Sequence, residues 1–177
     1  MGRSLLILLY YTGCRPVEAL ALRPNDFRVE VQNLVVDIPG RKRGVGREIY
    51  LPLRNNHIKE LRVFAIHMPP DSLVFYRYVS TSKNRKVRKD GTVYYNPHTT
   101  NKLYWHFSQW FNGFRGENTT IPPYFLRHNA MSRLAELGHS EQELKYLKGA
   151  RNIMSVSPYV HLSSLQAKKL SKGIAKI

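Results

Sequence analysis

Cysteine is almost absent from this chain: Cys14 is the single one in 177 residues. No internal disulfide and no cysteine-based zinc site can form from it, a usage that fits a reducing cytoplasm. The seven histidines contain no HExxH or similar pair at ligand spacing, and the 12 Asp and Glu are scattered. A metal-dependent nuclease is therefore poorly served, and no metal is expected. No GK[ST] follows the glycines and no GxGxxG occurs, so nucleotide hydrolysis and dinucleotide binding drop out and no cofactor is expected. Long hydrophobic runs are missing as well, which leaves no segment of membrane-spanning length. The opening "MGRSLLILLYYTGC" imitates a lipoprotein signal, but its apolar pattern continues through Val17, Leu20 and Leu22 and so reads as a buried helix. Leu6 stands where a myristoylation signal needs Ser or Thr.

What is present is a core and a charge. Hydrophobic residues make up 42% of the chain, enough to fill the interior of one domain of this length. Against that stand 28 Lys and Arg and a formal net charge of +16. Such a balance points to a polyanionic partner, since each basic group that neutralises a phosphate releases condensed counterion. Nucleic acid satisfies this better than a merely solvated surface or an anionic membrane.

The pattern along the chain predicts a helix over Ser4 to Tyr11 ended by Gly13, then a second helix opening at Pro16. "NLVVDIPGRKRGVGREIYLPL" reads as a β-hairpin with a Gly-rich basic tip. A helix over 55–67, with Ile58, Leu61, Val63, Phe64 and Ile66 as its apolar positions, is stopped by "MPPD". "SLVFYRYV" reads as a short strand or extended segment, and "STSKNRKVRKDGTVYYNP" as a basic mobile loop or ribbon. Helical spacing over Thr99 to Phe114 gathers Leu103, Phe107, Trp110 and Phe111, which we assign to the core over base stacking. "GFRGENTTIPP" is a loop, and from Tyr124 the chain is helical to Gly138. The "SEQE" capping box opens a helix ending at Gly149, and Ser157 and Pro158 start another, with Tyr159 in its first turn. The simplest account is one mainly α domain with a small antiparallel β-sheet.

An enzyme that cuts a phosphodiester without metal needs fixed positive charge on the non-bridging oxygens, a nucleophile, and an acid for the leaving oxygen. Arginines, a tyrosine and a lysine can meet that need. "YYTGCRPVEALALRPNDF" resembles the first box of the tyrosine recombinases, the phage-type integrases and Xer-type recombinases: T-G-x-R-x-x-E, then a spaced Leu and Asp. "GRKRGVGREIYLPL" is similar to the hairpin that carries that family's lysine, "YFLRH" to its second box, and "LKGARNIMSVSPY" to its last, where the nucleophilic tyrosine lies nine residues beyond a His or Trp. The resemblance covers nearly the whole chain.

It implies the DNA breaking-rejoining fold and assigns Arg15 and Arg127 as the catalytic arginines, with Glu18 and Asp26 in support. Lys42 would be the acid and Tyr159 the nucleophile, and His128 matches the histidine after the second arginine. Tyr159 would form a 3′-phosphotyrosyl bond, helped as an anion by its helix N-terminus, and neither ATP nor metal would be required. Double-stranded DNA and three further copies of the chain would be its partners, at the nucleoid. Arg41, Arg43, Arg47, Lys83, Arg85, Lys86, Arg88, Lys89 and Arg151 would contact DNA. Arg15 also has a plainer role open to it, an ion pair with Glu18.

Two positions depart from the family. Tyr124 stands where a histidine precedes the second arginine by three residues, and Ala150 stands at the His or Trp position. A phenol of ordinary pKa about 10 is a poor base near neutrality, though it can donate to a phosphate oxygen, and we count Tyr124 among the catalytic candidates. The pattern R, K, YxxR, Y resembles the divergent integrases of archaeal viruses and plasmids. The chain reads as a carboxy-terminal catalytic domain, one helix short at its start and without an amino-terminal clamp. Residues 160–177 form a tail helix that could dock on a neighbouring protomer or fold back. A type IB topoisomerase and a DNA-binding module that has lost catalysis remain the alternatives.

Overall fold

The computed structural model describes residues 2–40, 44–70, 72–75, 85–87, 89, 93–95, 105, 107–113 and 122–160. Helix α1 (Gly2–Thr12) is the apolar opening run, and Leu5, Leu8 and Leu9 in it are all but inaccessible. It is a core helix, as its continuing pattern predicts. Gly13 ends it at φ +59, a left-handed conformation that glycine adopts without a Cβ penalty. A Cβ there would also lie 2.8 Å from Met131 Cε, so this glycine lets the end of α1 approach the helix that carries Met131 closely. Helix α2 (Pro16–Ala19) is a single turn started by proline.

Three strands follow in the order β1-β2-β3: β1 (Phe27–Glu30), β2 (Asn33–Ile38) and β3 (Arg47–Pro52), antiparallel throughout. The expected hairpin is β2 and β3, with Val36 opposite Ile49. Strand β1, "FRVE", was not expected, because its four residues offer a single buried side chain, Phe27, and no alternation long enough to read. Arg28 on it binds Glu30, Asp37 and Glu48 across the exposed sheet face, a network that bridges all three strands. Strand β3 alternates strictly, with Arg47, Ile49 and Leu51 inward and Glu48, Tyr50 and Pro52 outward.

Helix α3 (Asn56–Ile66) is capped by Asn55, whose side chain accepts from the His57 N–H at 2.9 Å. It buries Ile58, Leu61 and Ala65, while Val63 and Ile66 face outward. Ser72 to Phe75 are buried without forming a strand. Within the basic stretch, β4 (Arg85–Val87) pairs antiparallel with β5 (Val93–Tyr95). Helix α4 (107–113) buries Phe107 and Phe111 and stacks Phe107 on Trp110 at 5.7 Å, so these aromatics are core as assigned. Helix α5 (Phe125–Glu136) ends before Gly138 at φ +87. Helix α6 (Glu141–Lys148) opens on the Ser140 and Glu143 capping box and closes on Gly149 at φ +58. A last helical turn, α7 (157–160), begins one residue earlier than expected and holds Tyr159.

Helix α1, the sheet, α3 and α4 share one core, and α5, α6 and α7 share a smaller one, with Leu147 packed against both. Arg41, Lys42, Arg43, Lys83, Arg88, Leu103, most of "GFRGENTTIPP" and the tail beyond 160 lie outside the described residues. No helix among the described residues is long and apolar enough to cross a membrane.

Candidate active site

The turn from α1 into α2 places Arg15 at the start of the single-turn helix, where its N–H donates to Glu18 Oε2 at 2.8 Å. Its Nη1 donates to Glu18 Oε1 at 2.7 Å, while about a third of the side chain remains exposed. The plain ion pair and the exposed guanidinium are thus both present: Glu18 orients Arg15, and Arg15 still faces outward.

Glu18 itself is 1% exposed and gathers more charge than Arg15. Arg47 Nη2 donates to its Oε2 at 3.1 Å, and Arg127 Nη1 lies 3.8 Å from the same oxygen. Burial alone would raise the Glu18 pKa. The hydrogen bond from the Arg15 N–H, the charge of Arg47 and the side-chain bonds from both arginines outweigh it and hold the carboxyl below its ordinary range.

Arg47 corrects a sequence expectation. Its side chain is 1% exposed, so it is no DNA contact in this structure. The parity of β3 turns it inward, where Nη2 meets Glu18 and Nε donates to the Leu147 carbonyl at 2.6 Å. Basic neighbours at 41 and 43 suggested an outward residue, but strand alternation decides the face. The stretch of β3 around Arg47 is also tied to the end of α6 by Val45 N–H to Gly149 O at 3.1 Å and by Tyr146, whose hydroxyl donates to Glu48 O at 3.1 Å. Gly149 permits this approach, since a Cβ on it would collide with Arg47 Nη1 and the Val45 carbonyl.

Arg127, in the first turn of α5, is buried at 1% exposure. Nη1 donates to Gly13 O at 3.0 Å and Nη2 to Lys148 O, so it fastens the end of α1 to the end of α6. Burial lowers its pKa, the Arg15 charge adds to that, and Tyr124 and Glu18 oppose. Lys148, half-buried, is likewise lowered by burial and then by Arg127 and Arg15. These mutual influences mark one compact cationic cluster of Arg15, Arg127 and Lys148. Lys148 Nζ sits 5.0 Å from the centroid of the Tyr159 ring and donates to the Ser155 carbonyl.

Tyr159 is 6% exposed, and its hydroxyl is hydrogen-bonded to His128 Nδ1 at 2.6 Å. Burial raises its pKa, Tyr124 raises it further, and Arg127 partly offsets them. The expected easing by the helix N-terminus is therefore overridden by desolvation. Tyr124 is exposed at the entry to α5 and meets the His128 ring edge-on at 5.2 Å. Arg15, Tyr124, Arg127 and Tyr159 are thus brought together. Glu18, Arg47, His128 and Lys148 join them. Of these, His128 and Lys148 carry chemistry to which the sequence assigned no role: His128 hides beside the arginine it follows, and Lys148 beside Gly149 in the last box. Ala150 lines a cleft of about 460 Å³ with Tyr146, Lys145 and Arg151. Arg151 and Lys89 are exposed, as a DNA contact requires. Among the described residues no three His, Cys, Asp or Glu side chains group as a metal site.

The buried Glu18 holds its arginines on a helical domain with a three-stranded sheet, and comparison with known proteins gives that domain its family. The phage integrase family model matches residues 2–165, and the chain belongs to that family. It is 25% identical over 166 residues to the TnP I resolvase of Bacillus thuringiensis, covering 93% of this chain and 51% of that protein. The XerH site-specific recombinase, solved bound to difH substrate in a pre-cleavage complex, superposes with a TM-score of 0.61 at 20% identity over 96% of this chain and 46% of its own. The XerA recombinase does so at 0.61 and 16% identity over 97% and 56%. The last two show the fold. The chain spans about half the length of these relatives.

Proposed function

We propose that the chain is the catalytic domain of a site-specific DNA recombinase that breaks and rejoins duplex DNA through Tyr159. The observation that carries this reading is the pairing of the Tyr159 hydroxyl with an imidazole at the edge of a cluster containing Arg15 and Arg127. Membership of the phage integrase family supports it.

In this mechanism the Tyr159 oxygen attacks the scissile phosphorus, forming a 3′-phosphotyrosyl bond and releasing a 5′ oxygen that takes a proton from Lys42. The exposed Arg15 meets a non-bridging oxygen, and Arg127 adds positive charge as negative charge builds in the transition state. A second strand's 5′ hydroxyl reverses the step, so the energy of the broken bond is retained. Arg41, Arg43, Lys83, Arg85, Lys86, Arg88, Lys89 and Arg151 hold the backbone, and strand exchange takes four copies on two duplexes. YxxR at Tyr124 and Arg127 aligns the chain with integrases of archaeal viruses and plasmids.

A nicked suicide duplex bearing the cognate site tests this. The expected result is an SDS-resistant protein–DNA adduct that Tyr159→Phe abolishes while DNA binding persists. Binding without adduct would identify a DNA-binding module instead, and relaxation of plasmid without strand exchange a topoisomerase.

A further inference from the structure

We propose that His128 is the general base that takes the Tyr159 proton, filling the role left open by Tyr124 and Ala150. The inference rests on the recombinase reading and adds to it a catalytic role for the histidine that follows the second arginine.

The geometry is direct. The Tyr159 oxygen and His128 Nδ1 are 2.6 Å apart, inside the range required of a base and the proton it removes. Desolvation keeps the phenol neutral, so the hydroxyl has a proton to donate, and a neutral imidazole protonated on Nε2 accepts it at Nδ1. The two residues are 31 apart in sequence, and the contact is made by packing α7 on α5, where Ala130, Met131, Val156 and Tyr159 share one small core.

The other neighbours are unsuited to this step. Tyr124 is a phenol like the nucleophile and lies edge-on to the imidazole, so it gains nothing by accepting the proton. Arg127 does not give up its proton in proteins, and its terminal nitrogens already bind carbonyls. Lys148 Nζ faces the Tyr159 ring and donates to Ser155, which places its charge over the π-face. His128 also has an exposed side, so an imidazolium formed at the site can be solvated.

The proton and electron changes balance. As the Tyr159 oxygen bonds to phosphorus, its proton moves to His128 Nδ1, the bond from phosphorus to the 5′ oxygen breaks, and that oxygen is protonated by Lys42. On resealing, the incoming 5′ hydroxyl returns a proton to Lys42 and the imidazolium returns its own to Tyr159. Among the described residues, the titratable groups that meet the imidazole are Tyr159 from α7 and Tyr124 from the entry to α5, while Arg127 on α5 and Lys148 from α6 act on the Tyr159 side of the pair.

The test is single-turnover cleavage of the suicide duplex by the full chain as a function of pH, for wild type, His128→Asn and His128→Ala. Asparagine keeps a polar atom near the Nδ1 position but cannot take a proton. Cleavage by His128→Asn should fall about 10²- to 10⁴-fold, the usual worth of a general base, with duplex affinity and thermal stability unchanged. The acid limb of the wild-type pH profile should vanish in it, and added imidazole should restore part of the rate of His128→Ala. Wild-type cleavage by His128→Asn, or an unchanged acid limb, overturns the proposal while the recombinase reading stands. Absence of any wild-type adduct overturns both.

Discussion

Replacing Glu18 with alanine removes the anion on which Arg15, Arg47 and Arg127 converge, and the cost follows from burial. The Arg47 and Arg127 side chains are each 1% exposed, so neither guanidinium regains water when the carboxylate is gone. Breaking one buried ion pair from one side costs about 3–5 kcal/mol. Two buried cations lose their anion together here, which sets the expectation at the upper end, about 5 kcal/mol for Glu18→Ala. That is comparable with the whole stability of a small domain, about 5–15 kcal/mol. Glu18→Gln keeps the shape and one acceptor oxygen and should lose about 3 kcal/mol. The folded carboxyl is held below its ordinary pKa of 4.5, so its contribution is complete above that value and is lost as pH falls through the lower folded one. The gap between wild type and Glu18→Gln should therefore be constant near neutrality and narrow in acid. Urea unfolding followed by circular dichroism between pH 3 and pH 7, about 4 units that bracket the ordinary carboxylate pKa, measures it. A Glu18→Gln variant within about 1 kcal/mol of wild type, with a parallel pH profile, would refute the reasoning.

Gly149→Ala should lower the melting temperature, since it costs about 1–2 kcal/mol at a left-handed φ and drives a Cβ into Arg47 Nη1 as well; an unchanged melt would deny the close approach. Cys14 has no exposure and its thiol is pushed up to about 11 by burial, so a thiol reagent at mild pH should label the native protein only as fast as it unfolds. Rapid labelling of folded protein would contradict that burial. Affinity for duplex DNA should fall steeply with salt because phosphate contacts release counterions, and a flat response in a filter-binding titration would remove the polyanion argument. Lys42→Ala should lose cleavage on an ordinary substrate and recover it on one with a 5′-thiolate leaving group, which needs no proton; failure of that rescue would reassign the acid.

Much of this arrangement could be read in advance because the signals are local. Gly13, Pro16, the Ser140 and Glu143 box and Gly149 punctuate the chain, and each punctuates it in the structure too. The phase of the Phe107 helix was equally plain, since Phe107 and Phe111 point the same way at helical spacing. Strand β1 was not legible because four residues with one buried side chain carry no period. Arg47 was misplaced because charge composition was allowed to outweigh strand parity, although Ile49 and Leu51, on the same face, already pointed inward. The His128 contact with Tyr159 could not be read at all. It depends on how α7 packs against α5, and no spacing rule connects positions 31 apart.

The site takes its described residues from 13–18, 45–47, 124–128 and 147–159, and the bonds between these stretches run directly to one another. Arg127 reaches back 114 residues to Gly13, and Arg47 forward 100 to Leu147. Nothing described between β3 and Tyr124 contributes a side chain to it. The middle of the chain therefore serves the site indirectly: Ile58, Leu61 and Ala65 of α3 and Phe107 of α4 lie in the core on which α1 and the sheet pack, so changes there reach the site through that packing and not through a side chain of their own.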